Sequence, residues 1–204
     1  SAVLLSFDKL ELMIEHLEKA IDINPGFAEA HHSLGGGYKE MGRLDDAVKS
    51  YSKALALQPN FLEAHNNLGN AFKKLGQFKD AVNSYEKALA INPDYPSTHN
   101  NLGNVYKELG QLSDAARSYQ NALTINQEYS DSHNNLGVIF YELKKYDEAV
   151  QSYERALTID PEYAEAHNNL GVSLNKLGQL EEAVKSYERA LIINPAYSDS
   201  YNNL

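Results

Sequence analysis

The chain has 204 residues, 43% of them hydrophobic and 10% aromatic, with 12 Gly and 6 Pro, and carries a net charge of -10 from 18 basic and 28 acidic side chains. Such a composition folds, so disorder and collagen are excluded, and its acidity argues against a phosphate-tracking nucleic-acid binder. Cys is absent, which removes disulfides, thiolate metal sites and a Cys nucleophile. No apolar run reaches the roughly 18 residues of a spanning helix, and no charged-then-apolar leader opens the sequence. Neither nucleic acid nor membrane is therefore an expected partner, and a cytoplasmic location is the expectation.

A fixed period organises everything else. Ala30-His31-His32-Ser33-Leu34-Gly35 returns as Ala64-His65-Asn66-Asn67-Leu68-Gly69, then as Thr98-His99-Asn100-Asn101-Leu102-Gly103. Ser132-His133-Asn134-Asn135-Leu136-Gly137 and Ala166-His167-Asn168-Asn169-Leu170-Gly171 follow, each step 34 residues without insertion. The complete units are 28–61, 62–95, 96–129, 130–163 and 164–197.

In chain order, 1–27 is a partial unit that keeps Ala20 and Pro25 but has Met13 and Leu17 where Ala and Tyr recur later. It is expected to begin near the end of a first helix. Unit 28–61 carries Gly35-Gly36-Gly37 inside its first helix, where the two additional glycines each cost about 0.5–1 kcal/mol relative to Ala. They mark either a hinge or close ligand approach, or a tolerated weak spot. Unit 62–95 is the template. At about 100° per residue, Ala64, His65, Leu68, Gly69, Ala71, Phe72 and Leu75 share one arc, opposite Glu63, Asn66, Asn67, Asn70, Lys73 and Lys74. That separation predicts an amphipathic helix, ended by Gly76, which tolerates positive φ. Asp80 starts a second helix with apolar face Phe78, Ala81, Val82, Tyr85, Ala88 and Leu89, and Pro93 blocks its extension. Unit 96–129 has Gln127 in place of that Pro, unit 130–163 has Lys144 in place of the turn Gly, and 198–204 begins a further repeat. A 34-residue hairpin cannot bury its own apolar face, so the units must stack as a solenoid.

His65, Leu68, Gly69, Phe72, Ala81, Tyr85, Ala88 and Pro93, repeated as His99, Leu102, Gly103, Tyr106, Ala115, Tyr119 and Ala122, resemble the tetratricopeptide repeat family. The resemblance spans nearly the whole chain. It implies an all-α, right-handed superhelix of stacked antiparallel hairpins. It also implies that first helices line a concave groove and that the groove binds protein or extended peptide.

The candidate site is the paired Asn columns. Asn66 and Asn67, Asn100 and Asn101, Asn134 and Asn135, Asn168 and Asn169 all fall mid-helix, with Asn70 and Asn104 extending the same arc. Asn is a poor helix former, yet its carboxamide can serve both the C=O and the N–H of an extended backbone. The Asn67 column is expected to face the groove more squarely than the Asn66 column, unless one column serves bonds between repeats. The arrangement resembles the asparagine-lined arrays of protein O-linked N-acetylglucosamine transferases and their bacterial relatives. Lys73 and Lys107 add positive charge near the far helix ends, suited to an acidic segment or to the helix C-termini.

Other constellations point away from chemistry. His31, His65, His99, His133 and His167 come one per repeat, about 10 Å apart, too far for a shared metal. No metalloprotease, phosphate-loop or nucleophile-elbow motif is present. No metal, no cofactor and no catalytic activity are therefore expected of this chain. The leading expectation is an interaction scaffold. The alternative is a substrate-recruiting region of a larger enzyme, plausibly a glycosyltransferase whose catalytic domain lies outside these residues. End-to-end self-association is also expected, through Leu10, Met13, Ile14 and Leu17 at one end and Tyr187, Ala190 and Leu191 at the other.

Overall fold

The structure, a computed structural model, describes residues 2–196 and 198–203, and the side chains of 9–196, 200, 201 and 203. Among the described residues there are twelve helices and no strand. They form two compact units, Ser1–Val105 and Tyr106–Leu204. The first holds α1 (Ala2–Ile23), α2 (Ala28–Glu40), α3 (Leu44–Leu57), α4 (Leu62–Lys74), α5 (Phe78–Ile91) and most of α6 (Pro96–Glu108). The second holds the end of α6, then α7 (Leu112–Ile125), α8 (Ser130–Glu142), α9 (Tyr146–Ile159), α10 (Ala164–Lys176), α11 (Leu180–Ile193) and α12 (Ser198–Asn203). In the first unit α2 pairs with α3 and α4 with α5, while α3 packs on α4 and α1 on α2. In the second, α8 pairs with α9 and α10 with α11, and α9 packs on α10. Each unit is thus a stack of antiparallel hairpins, all-α as expected.

The turn inside each hairpin has one chemistry. Gly76 N–H donates to the Lys73 carbonyl and Gln77 N–H to the Phe72 carbonyl, the paired bonds that close a helix through a left-handed residue. Gly42, Gly76, Gly110 and Gly178 take φ of 71–78° there, and Lys144 takes φ 60° with the same two bonds, to Tyr141 and Phe140. A side chain in that region costs roughly 1–2 kcal/mol, partly offset by the about 0.4–1 kcal/mol that Gly loses through the unfolded chain. Lys144→Gly is therefore expected to stabilise the protein by about 0.5 kcal/mol, read as a higher urea midpoint. Gly110→Lys should move it the other way.

At the register position of the turn glycine in the first, partial unit stands Asp8, and α1 runs through it as one helix of 22 residues. The expected end of a first helix followed by a turn is therefore replaced by a single continuous helix.

The core repeats one contact. Tyr51, Tyr85, Tyr119, Tyr153 and Tyr187 are all at most 2% exposed. A Cβ on Gly35, Gly69, Gly137 or Gly171 would fall 2.6–2.7 Å from the ring of Tyr51, Tyr85, Tyr153 or Tyr187 respectively. The first-helix glycine is thus a seat for the second-helix tyrosine. Gly37 has a different reason: its Cβ would meet Met13 Cε at 2.9 Å and Ile14 Cγ1 at 3.0 Å. Met13 stands in a column that is Ala in every complete unit, and the missing Cβ of Gly37 makes room for the larger side chain.

Two expectations about the ends change. Ile14 is buried under α2, and Tyr187 and Ala190 are buried against α10 and its neighbours. Leu12, Met13 and Ile23 at one end, and Leu180, Val184, Ile192 and Tyr201 at the other, are exposed. Of the side chains expected at the two ends, Met13 is exposed and Leu10, Leu17 and Leu191 are half-buried, so the stacking partner already present covers only part of each patch.

Candidate functional site

The two Asn columns do different things. Asn100 is 6% exposed, Asn134 0% and Asn168 6%. Asn168 Oδ1 accepts from Ser200 Oγ at 3.0 Å and from Asn203 Nδ2 at 3.2 Å. Asn134 Oδ1 accepts from Asn169 Nδ2 at 3.2 Å, and its own amide lies 3.4 Å from Tyr163 OH and Glu165 Oε1. Asn66, half-buried, accepts from Thr98 Oγ1 at 2.8 Å. The expectation that Asn100, Asn134 and Asn168 line a groove is thus corrected. All three are buried, and Asn134 and Asn168 bond to the repeat that follows, as a buried carboxamide must find partners.

Asn67, Asn101, Asn135 and Asn169 stay half-buried, one position round the helix. Asn67 donates Nδ2 to His32 Nε2 at 2.9 Å, and Asn169 donates Nδ2 to Asn134 as above. His32 occupies the Asn66 column one repeat earlier, so the bond has the same register in both units. In each case the amide nitrogen is tied down by the preceding repeat, and among the described residues nothing engages the Asn67 and Asn169 oxygens. Asn101 Oδ1 accepts a long 3.5 Å contact from Lys73 Nζ. Asn135 and Asn104 are half-buried and have polar partners of their own. Asn70 accepts from Tyr85 OH at 2.8 Å, which leaves its amide hydrogens. Lys107 is half-buried in the last turn of α6.

The His column is a clamp on the turn between units. Nε2 of His31, His65, His99, His133 and His167 lies 2.9–3.2 Å from the carbonyl of Pro25, Pro59, Pro93, Gln127 and Pro161 in turn. The same turns hold a second local bond. The side-chain oxygen of Asn24, Asn92, Asn126, Asp160 or Asn194 accepts from the N–H two residues on. Sequence reasoning passed over both devices, although Asn or Asp just before the Pro is a turn signal. Among the described residues no cluster of His, Asp and Glu is disposed to hold a metal, and no helix is long and apolar enough to cross a membrane.

Burial holds the His32 and His167 imidazoles below the usual 6.5; Glu63 opposes and Lys39 adds to this at His32, while at His167 the Pro161 carbonyl and Asp160 oppose and Arg189 adds. The unfolded chain then takes up these protons first. Stability is full above about pH 6.5 and declines as pH falls below it. Protonating His32 also removes the acceptor that Asn67 uses. Melting temperature is expected to drop on acidification from about pH 7.5 to pH 5.5, and the drop should shrink in His32→Asn with His167→Asn. An unchanged slope in that variant would assign the effect elsewhere.

These features define an α-solenoid whose first helices display ordered carboxamides. The chain belongs to the tetratricopeptide repeat family: the family's TPR repeat profile matches residues 37–76, 69–110, 103–144 and 139–178, and its tetratricopeptide repeat profile matches 164–197. Among solved structures it is similar to YrrB, a tetratricopeptide repeat protein with an unusual peptide-binding site, at 25% identity over 93% of this chain and 97% of that one, with a TM-score of 0.73. It is similar to MamA at 25% identity over 81% of this chain and 96% of that one, TM-score 0.73. PilF of Pseudomonas aeruginosa matches at 25% identity over 86% of this chain and 80% of that one, TM-score 0.79. No curated protein matches the chain in sequence.

Proposed function

We propose that the chain is an interaction module that holds an extended protein segment by its backbone along the first helices of its repeats. One observation carries this reading: Asn67 and Asn169 are anchored through their nitrogens to the preceding repeat, and their oxygens have no hydrogen-bond partner among the described residues. An anchored carboxamide loses little side-chain freedom on binding, so more of each bond is retained as affinity. Those oxygens accept from peptide N–H groups, while the Asn70 amide hydrogens donate to peptide carbonyls. Recognition through the backbone makes weak demands on the ligand's side chains. The peptide-binding site reported for YrrB supports the same class of ligand.

Backbone methylation tests this directly. Each member of a panel of unstructured synthetic peptides is titrated beside its N-methylated form, which keeps every side chain but removes the N–H donors. Binding should fall on methylation of alternate residues. Equal affinity of the two forms would refute backbone recognition.

A further inference from the structure

In the first unit a cavity of about 680 Å³ opens between α3 and α5, with α4 beneath it. Leu68, buried, and Leu55 and Phe72, half-buried, make its apolar floor, while the exposed Ser52, Asp80, Asn83 and Lys87 stand on its rim. Leu68 and Phe72 lie on the arc of α4 opposite Asn67 and Asn70, so this surface is separate from the peptide groove and does not depend on it. The repeat register explains why the floor is open here. Ser52 stands where later repeats carry Glu86, Gln120 and Glu154, and Asn83 where the other second helices carry Lys49, Arg117, Gln151 and Lys185. Long polar side chains lay their stems over apolar surface and keep their heads in water. Two short ones leave it uncovered.

The exchange at Asn83 also leaves a charge unpaired. Asp46 and Asp114 are each held by the cation three residues on, Lys49 at 3.2 Å and Arg117 at 2.6 Å. Asp80 is their counterpart with Asn83 in the cation's place, and among the described residues its carboxylate has no ion pair. We propose that this cavity docks an amphipathic helix of a partner protein, which lays apolar side chains on Leu55, Leu68 and Phe72 and brings an Arg or Lys to Asp80. The partner thereby supplies from outside the cation that α3 and α7 supply for themselves. A helix suits the site better than an extended strand. The walls are helices whose backbone groups are already paired, so a strand on this apolar floor would leave its own N–H and C=O groups unmet. Lys87 lies two turns beyond Asp80, about 10 Å along the α5 axis, and favours an acidic residue seven positions from the partner's cation.

The probe is a stapled helical peptide with leucines at i, i+3, i+4 and i+7, flanked by an Arg and a Glu seven positions apart. It is titrated beside three relatives: one with Ser for every Leu, one with Gln for the Arg, and an unstapled form broken by proline. The native chain should bind the parent peptide and lose about tenfold or more with the Ser and proline forms. The Gln form should lose about threefold, the scale of one exposed ion pair. Ser52→Glu with Asn83→Arg installs the residues that other repeats carry, covers the floor and pairs Asp80. It should weaken parent binding by about tenfold or more without lowering the melting temperature. Asp80→Asn leaves the cavity open, so it should keep the leucine dependence and erase the Arg preference. Native-strength binding by the folded double variant, indifference to leucine or to helicity, or no binding of the parent by the native chain would overturn the site. An Arg preference that survives in Asp80→Asn would overturn the ion pair.

Discussion

Gly69→Ala is expected to lower stability by about 1–3 kcal/mol, against the direction of helix propensity, which favours Ala by about 1 kcal/mol. The deciding quantity is distance. The new Cβ would lie 2.6 Å from Tyr85 Cε1 and 2.7 Å from Cδ1, against a ring that is 0% exposed and bonded through its hydroxyl to Asn70. Neither partner can yield cheaply, because the ring is enclosed and the glycine sits in a packed helix. The same change at Gly76 provides a contrast, since a Cβ there meets nothing within 4 Å and its cost comes from φ of 71° alone. A double-mutant cycle isolates the cause. Tyr85→Ala by itself should cost about 3–5 kcal/mol, but in that background Gly69→Ala should become neutral or favourable, because the ring is gone. Urea unfolding of the four proteins measures the coupling. Additive costs would show that the tight glycine–tyrosine contact is not what opposes the side chain.

The second large effect concerns binding. Replacing Asn67, Asn101, Asn135 and Asn169 together with Ala should weaken binding of an extended peptide by roughly 30-fold or more, taking about 0.5–1.5 kcal/mol for each bond lost. Stability should move much less. Each Ala gains about 0.6 kcal/mol in helix propensity. All four also give up polar contacts, Asn67 with His32, Asn169 with Asn134, Asn101 with Lys73 and Asn135 with partners of its own, a loss of similar size and opposite sign. Calorimetric titration beside thermal melting separates the two readouts. A folded quadruple variant that binds as tightly as the native chain would place these residues in the scaffold alone. The matched set at Asn100, Asn134 and Asn168 should behave inversely, because removing a buried partner strands the groups bonded to it.

A period of 34 residues determined the hairpins, their turns and the Tyr core without reference to any partner helix. A residue that recurs in every unit meets the same neighbours in every unit, so Gly76 as a turn and Tyr85 as core could be read from spacing and residue type. The Lys144 strain was legible in the same way, since the bond pattern of that turn needs positive φ whatever residue stands there. The tertiary structure decided what depends on how one repeat approaches the next. Asn66 and Asn67 are neighbours about 100° apart on one helix, and a wheel drawn for that helix puts both on its polar arc. Only the docked neighbour determines that Asn134 and Asn168 of the first column are buried while Asn135 and Asn169 of the second stay half-buried. The pairing of Met13 with Gly37 links different repeats 24 positions apart. Its signal was present as a large residue in an Ala column with a small one opposite, but repeat-by-repeat comparison does not look across that distance. The Tyr51 hydroxyl, buried without a hydrogen-bond partner among the described residues, is the same kind of case. Gly36 in the register position of Asn70 is visible in the sequence, but the stranded donor appears only once the second helix is folded back against the first.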